Sequence, residues 1–598
     1  MDYQAYKNVK ITGGFFHKKQ TLNRKITMQS VWDRFSDTGR IDAFSFSWKE
    51  GMDKKPHIFW DSDVAKWMEG AAYIIGKTGD KALEEKVEGL IDLIETNQQP
   101  DGYFNIYYTV CEPQNRFTDR HKHELYCAGH LMEAAVAYYE ATGKDRFLNC
   151  MLRYADCIEK AFITERTASF YTPGHEEIEL ALLRMYRVTK KQQLLDMAKF
   201  FIEERGKHPE EKLCTVQDLP VRTQKEITGH SVRAMYLYAG VAALAKETED
   251  AELWERCRDI FEDVTKRKMY ITGGIGSTRN GEAFTVAYDL PNRLAYAETC
   301  AAIALVFFCR NMLDLEKKSV YADVLEKVLY NGAYAGLSLD GKAFFYENPL
   351  ELNIKELNRH IDCYKEWLPK QPITQRKEVF HCSCCPPNLN RFIEESESFL
   401  YDVEEKNVYV HLFSESILEK GDVHVETKTD YPNSGTVHFS CKHTDKLYVR
   451  IPVWCEKVKI SADYTMENGY ACIENPDEVT VEFEMKPMLM GANINLSNNI
   501  GKGAVCYGPL VYCAEGVDNG ENLHALYIEQ NLNAKVTYDA ELDANVIEAE
   551  GYKRTQNTDA LYFKYTETFE KTKIRLIPYA WYANRGETDM VVYLHVKQ

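Results

Sequence analysis

Between about residue 61 and residue 332 the chain alternates helix-period runs with short turns, and this pairing restricts its fold more than any other feature. The runs fall at about 61–76, 81–97, 124–141, 144–160, 175–189, 192–204, 229–246, 249–267, 293–310 and 314–332, with another at about 386–399. Partners are joined through KTGDKAL, ATGKDRFL, VTKKQQLL and TEDAELW, turns short enough to send the chain back antiparallel. Helical hairpins stack as an open solenoid or close into inner and outer rings. The segments between pairs, 98–123, 205–228, 268–292 and 333–385, are long and rich in Gly, Pro and aromatics, which uniform small repeats do not need. Long structured loops on a rigid scaffold carry function. The pattern predicts a closed α/α toroid with an active-site face built from these loops.

Past residue 405 the texture changes. NVYVHLFSES, SGTVHFSC, EVTVEFEM and MVVYLHVK are short, partly alternating runs separated by turn residues, the signature of β-sandwiches. A chain of 598 residues is expected to divide into several domains. The boundaries read as 1–405 for a catalytic helical domain, 406–500 for a β-sandwich and 501–598 for a second, smaller one, with the last break near Gly501. KNVKITGGFF reads as an early strand available to pair with the β module.

A formal charge of -18 disfavours nucleic acid, whose nonspecific binding needs concentrated Lys and Arg. No long charge-free apolar stretch is present, and MDYQAYKNVKITGG lacks an apolar core behind a basic start, so no membrane partner and a cytoplasmic location are expected. Seventeen scattered cysteines do not resemble a secreted disulfide framework. Cys150, Cys157, Cys257 and Cys309 lie in helical runs and read as packed thiols.

The cluster HCSCCPPNLNRF at 381–392 is different. Cys382, Cys384 and Cys385 directly precede Pro386 and Pro387, which open helices but do not continue them, so the thiols belong at a helix N-terminus where thiolate is favoured. This suits metal binding or nucleophilic catalysis. A tetrahedral site needs a ligand from elsewhere, and YAETC offers Glu298 and Cys300 at an irregular helix start, giving the set Glu298, Cys300, Cys384 and Cys385. Glu282 in TGGIGSTRNGEAF is a loop carboxyl; the glycines around it match neither a P-loop nor a dinucleotide fingerprint. A carboxyl facing a thiolate fits double displacement on a sugar. Asp61, Gln99, Tyr103, His123, His175 and His230 stand where long loops meet helical runs and are candidates for substrate contact. For His130 and His175 a core or capping role is as good a reading, and the histidine spacing does not match a zinc protease.

TGGIGSTRNGEAF, DLPNRLAYAETCAAIALVFF, FFYENPLE and HCSCCPPNLNRF together resemble glycoside hydrolase family 127, the β-L-arabinofuranosidase family, from near residue 8 to about 400 and more loosely beyond. The resemblance implies an (α/α)6 barrel followed by jelly-roll-like β-sandwich domains, and a retaining exo-glycosidase using a zinc-bound cysteine nucleophile and a glutamate acid/base. Cys384 would be the nucleophile. Glu282 would be the acid/base, kept protonated by its pocket, and Glu298, Cys300, Cys384 and Cys385 would hold Zn2+, with His123, His175 and His230 as pocket histidines. The implied substrate is a short oligosaccharide or glycoconjugate ending in β-L-arabinofuranose, and a homodimer is a further implication. Alternatives are the same mechanism on a rare pectic sugar such as a carboxylated deoxy pentose of the aceric acid type, for which Arg279 would serve, a surface or salt-bridge role being an equal reading of that residue, and a non-catalytic carbohydrate-binding protein with structural zinc.

Overall fold

The computed structural model describes residues 3–209, 218–357 and 372–597. Its helical part contains α1 (Gly14–Leu22), α2 (Met28–Thr38), α3 (Trp60–Thr78), α4 (Lys81–Asn97), α5 (Glu124–Thr142), α6 (Arg146–Glu159), α7 (Ile178–Thr189), α8 (Gln192–Glu204), α9 (Ser231–Thr248), α10 (Ala251–Asp263), α11 (Thr299–Leu315), α12 (Ser319–Lys327) and α13 (Cys385–Glu394). Helices α3, α5, α7, α9, α11 and α13 pack successively, and α13 returns against α3 to close the ring. Outside them lie α4, α6, α8, α10 and α12, while α1 and α2 cover α13. This is the closed α/α toroid, with six inner helices and an outer ring of five helices completed by the α1–α2 pair.

Composition assigns each helix its layer. α11, TCAAIALVFFCRNMLDL, is buried from Thr299 through Leu313, whereas α10, AELWERCRDIFED, buries only the stripe through Leu253, Arg256, Cys257, Ile260 and Phe261 with Asp263 at its end. A helix apolar on every side must be surrounded, and one with a single stripe must face water on the other. Asp80 and Asp250 start outer helices by accepting backbone N–H groups of Leu83 at 3.0 Å and Glu252 at 3.0 Å. Gly79 and Gly143 end the inner helices α3 and α5 at φ 69° and 74°, a conformation that costs glycine little.

Three features depart from the periodicity reading. Helices α1 and α2 lie before the first recognised run, and Gly14 and both phenylalanines of KNVKITGGFF are already inside α1. α11 starts at Thr299, not about 293, because Ala297 has φ 43° and Glu298 is extended, so the chain turns sharply before the helix. Finally, strand Pro487–Met490 pairs with Lys502–Tyr507, so the last sheet begins before Gly501, in a segment whose PMLM lacks alternation.

From Tyr401 onward strands replace helices. Val9–Ile11 pairs antiparallel with Ser416–Lys420, with Val9 opposite Leu418, and joins a six-stranded sheet. A five-stranded sheet accompanies it, and the inward residues Val425, Phe439, Val449 and Val481 belong to the same core cluster as the barrel helices. The last, ten-stranded sheet also takes in Glu351–Leu352, which pairs with Met590–Val591. Both β regions are thereby stitched to the barrel. No helix among the described residues is long and apolar enough to cross a membrane.

The barrel axis is filled by a buried ionic knot. Arg391 Nη1 donates to Glu69 Oε2 at 2.8 Å and Glu133 Oε2 at 2.5 Å, and Arg184 Nη1 donates to Glu69 Oε1 at 2.6 Å and Glu133 Oε1 at 3.0 Å. All four side chains are 1% exposed or less. Two further acids lie beside them: burial and Glu69 push Glu395 up to about 8, and burial and Glu133 push Glu177 well above the carboxyl range, so both hold protons at neutral pH. The two guanidinium groups then balance two carboxylates. Arg391→Met should strand those carboxylates and lower stability by about 3–5 kcal/mol. Thermal unfolding followed by the helical far-UV signal checks this, and a variant as stable as the unmodified protein would contradict it.

Candidate active site

The loop ends and the N-termini of α9, α11 and α13 converge on a cavity of about 400 Å³, lined by Phe59, His123, Tyr126, His175, His230, Arg233, Tyr236, Arg279, Glu282, Glu298, Cys300, Tyr346, Cys382, Cys384 and Asn388 among others. Its size lies within the usual range for small-molecule pockets, about 300–1,000 Å³. Cys384 caps α13, with Pro386 and Pro387 in the first turn, as the CSCCPP run anticipates. Glu298 occupies the N-cap position of α11, which puts Cys300 two residues on, within the first turn.

These ends bring four acidic groups together. Cys300 Sγ lies 3.6 Å from Cys384 Sγ and 3.3 Å from Cys385 Sγ, and Cys384 Sγ lies 3.8 Å from Cys385 Sγ and 3.6 Å from Glu298 Oε1. Zinc bonds of about 2.3 Å to sulfur and about 2.0–2.2 Å to oxygen imply tetrahedral edges of roughly 3.8 and 3.5 Å, so the four groups already stand at nearly the separations that zinc requires. Their electrostatics also call for a cation. Burial, then Cys384 and Glu282, push the Glu298 carboxyl well above its usual range, and its Oε2 is buried with no hydrogen-bond partner. Cys385 is likewise pushed up by burial and by Cys300. A divalent ion removes that conflict, and the three-sulfur, one-oxygen donor set fits zinc.

Glu282 faces this cluster from the turn before α11. It has φ 53°, a left-handed backbone unusual for glutamate, fixed by the Glu282 N–H to Arg279 O bond at 3.2 Å and the Ala283 N–H to Thr278 O bond at 3.0 Å. His230 Nδ1 accepts the Val232 N–H at 3.2 Å, so the neutral ring carries its proton on Nε2 and donates it to Glu282 Oε2 at 2.7 Å. Burial opposes ionisation of Glu282, but His230, Tyr296 and Arg233 outweigh it and hold the carboxyl below its usual range. The expectation that the pocket keeps Glu282 protonated is therefore reversed: resting Glu282 is a carboxylate, because a tautomerically locked donor points at it.

His123, His175 and His230 all line the cavity. Burial, then Arg233, hold His123 and His175 well below the ordinary histidine range, so both are neutral hydrogen-bonding groups. The Tyr126 ring packs against that of His175, centroids 4.0 Å apart and tilted by 42°, and its hydroxyl is hydrogen-bonded with Lys66 Nζ at 2.5 Å. Asp61, Gln99 and Tyr103 are not among the lining residues. Asp61 Oδ1 accepts the Ile106 N–H at 2.9 Å, Gln99 Nε2 donates to Asn97 O at 2.9 Å, and the Tyr103 hydroxyl donates to Glu124 Oε1 at 2.6 Å, so all three shape loops outside the cavity. His130 is fully buried beneath it, 3.1 Å from Glu177, in a second His-Glu-Glu group whose Glu133 is already claimed by two arginines. Phe59, Tyr126, Arg233, Tyr236, Tyr346 and Asn388 were not singled out in the sequence. Tyr346, whose Oη is 3.1 Å from Cys384 Sγ, had a visible signal in FFYENPLE. The others sit on inner helices or a loop whose facing directions periodicity alone does not give.

The family model described as β-L-arabinofuranosidase, GH127 catalytic domain, matches residues 8–398, and models for the GH127 middle and C-terminal domains match residues 407–485 and 487–595. A non-reducing end β-L-arabinofuranosidase of Bifidobacterium longum subsp. longum is 34% identical, over 90% of this chain and 89% of its own length. The crystal structure of a GH127 β-L-arabinofuranosidase from Geobacillus stearothermophilus T6 superposes with a TM-score of 0.93 at 38% identity, covering 99% of this chain and 100% of that one. A second solved GH127 β-arabinofuranosidase gives a TM-score of 0.89 at 32% identity, over 99% of this chain and 97% of its own. With the same barrel, the same two β regions and a cysteine-rich zinc cluster at the pocket floor, this chain is a glycoside hydrolase and belongs to glycoside hydrolase family 127.

Proposed function

We propose that the protein releases a terminal β-L-arabinofuranose from short glycosides with retention of configuration, with Cys384 as nucleophile and Glu282 as acid/base. The observation that carries this reading is the convergence of the Cys384 cluster and the His230–Glu282 pair on one pocket. Its neutral imidazoles and tyrosines suit the hydroxyls of a neutral sugar. Glu298, Cys300, Cys384 and Cys385 would hold the zinc ion, which supplies the positive charge that lets thiolates and a carboxylate coexist there. Action on a terminal residue accords with the small volume of the cavity. A homodimeric assembly and a cytoplasmic location remain part of this reading, as do the catalytic unit over 1–405 and two β units after it.

In the first half-reaction Cys384 Sγ forms a bond to the anomeric carbon while the glycosidic C–O bond breaks, and Glu282 gives a proton to the leaving oxygen. Tyr346 Oη, beside Cys384 Sγ, orients the sulfur. In the second half Glu282 takes a proton from water as the water oxygen attacks the same carbon and the C–S bond breaks. Resting Glu282 is already in the form this second step needs. To begin a cycle it takes up a proton, and its Oε2 changes from acceptor to donor, which separates it from the His230 Nε2–H and turns it toward the leaving oxygen.

Four measurements test these assignments. Cys384→Ala should lower the hydrolysis of an aryl β-L-arabinofuranoside by on the order of 10⁴-fold or more, and near-normal turnover would exclude Cys384 as nucleophile. Glu282→Gln should keep its zinc yet lose glycosides with poor leaving groups far more than activated aryl ones; an equal loss on both would argue against acid catalysis. Zinc analysis should find about one ion per chain and clear loss in Cys300→Ala, independently of any activity. Tyr296→Phe removes a donor that lowers the Glu282 pKa, so Glu282 should stay protonated to higher pH and the alkaline limb of kcat/KM should move upward. A downward shift would contradict the role of Tyr296.

A further inference from the structure

Lys66, on α3, is fully buried and does not line the cavity, whereas Tyr126, on the neighbouring inner helix α5, does. Lys66 Nζ donates to Tyr126 Oη at 2.5 Å, and this is the one hydrogen bond of the lysine head among the described residues. His175 and, edge-on, His130 clamp the Tyr126 ring, with centroids 4.0 and 4.5 Å away. A phenol O–H lies near the ring plane and points to one side of the oxygen. With Lys66 donating on one side, the Tyr126 proton is turned to the other. No acceptor for it stands within hydrogen-bond distance among the described residues. Burial, then the charge of Cys384, push this hydroxyl well above the ordinary tyrosine range, so it keeps its proton and stays a donor. Buried donors are rarely left without an acceptor, and Tyr126 borders the cavity where a ligand would bring one.

We propose that Lys66 is a positioning residue that holds the Tyr126 hydroxyl as a donor into the cavity floor, where it bonds O3 of the arabinofuranosyl ring. This rests on the sugar and on the roles of Cys384 and Glu282 given above. Depth separates the two sides of the reaction: Cys384 is 9% exposed and Tyr126 4%, whereas the Glu282 side chain is 38% exposed, so thiol and tyrosine share the floor and Glu282 faces the mouth. After burial, the charge of Cys384 presses on the Tyr126 hydroxyl more than that of any other side chain, which sets the two side by side. Each displacement at the anomeric carbon inverts it, so the sulfur attacks the ring face opposite the leaving group. In a β-L-arabinofuranoside the leaving group, O2 and C5 lie on one face of the ring and O3 alone lies on the other. The floor therefore meets the face that carries O3, and a fixed donor there reads the configuration at C3. A sugar without that oxygen leaves the Tyr126 proton unpaired, which is how a polar site rejects an analogue.

The test uses the zinc-loaded full chain with p-nitrophenyl β-L-arabinofuranoside and its 3-deoxy and 5-deoxy analogues. Each variant is compared with the unmodified enzyme on the same glycoside, so intrinsic reactivity cancels. Tyr126→Phe should lower kcat/KM by about tenfold or more on the parent and the 5-deoxy analogue, but by no more than about twofold on the 3-deoxy analogue. Lys66→Met keeps the length of the side chain and should give the same pattern at about threefold or more, because Tyr126 retains its hydroxyl but loses its direction. In Lys66→Met/Tyr126→Phe, where no lysine is left without its partner, the loss on the parent should match that of Tyr126→Phe within about twofold. A purely structural role would slow all three glycosides alike. That result overturns the proposal, as does a loss that spares the 5-deoxy analogue instead of the 3-deoxy one, and an unchanged Lys66→Met overturns the role of Lys66. Where turnover of the 3-deoxy analogue is slow, inhibition of parent hydrolysis by the corresponding methyl glycosides decides in the same way. An unmodified enzyme that holds zinc but neither binds nor hydrolyses the parent refutes the sugar assignment instead.

Discussion

Closing a ring of helices leaves the inner faces with no water, and every polar group on them must find its partner inside. The Arg391–Glu69–Glu133–Arg184 knot is the answer to that constraint here. Four inner helices contribute one member each, so the charges set the rotation of α3, α5, α7 and α13 about their own axes as well as their proximity. Helix α13 bears the greatest share. It closes the ring against α3, where Gly70 allows the backbone of Arg391 to approach to 3.1 Å of a would-be side chain. The same short helix supplies Cys385, follows Cys384, and anchors the pocket floor through Arg391 to Asn388 at 2.7 Å and to the Tyr236 hydroxyl at 2.7 Å. Ring closure and active-site assembly are one event.

Above the knot, the pocket concentrates acidic groups and then compensates them one by one. Glu298 and three thiols invite a divalent cation; Glu282 is held ionised by a histidine whose tautomer the backbone dictates; Glu347 is matched by Arg279. Positive φ at Glu282 and Ala297, either side of the same loop, shows what these placements require of the backbone. Such strain persists because α9, α11 and the loop bridges around Ala283 and Glu347 hold the loop at several points.

Much of this was legible in the sequence for physical reasons. Periodicity distinguishes a helix buried on all sides from one with a single stripe, and adjacent cysteines before two prolines have few structural uses other than a ligand cluster at a helix start. The Glu298–Cys300 pair was legible because a turn signal precedes it. Asp61, Gln99 and Tyr103 were drawn toward the pocket by the same loop-to-helix logic, yet their side chains bond within their own loops and neighbouring helices. Position at a junction does not say which way a side chain turns.

By itself, then, the sequence determined the helical hairpins, the change to β structure near residue 405, and the residue types of a zinc-thiolate glycosidase, since these follow from local pattern and local chemistry. Tertiary structure decided the rest: that α13 meets α3, that His230 donates to Glu282 and so leaves it a carboxylate, and that Glu347 claims Arg279. Each depends on residues tens to hundreds of positions apart. Charge and protonation at such sites are set by distances of a few ångströms and by the exclusion of water, which no spacing along the chain encodes.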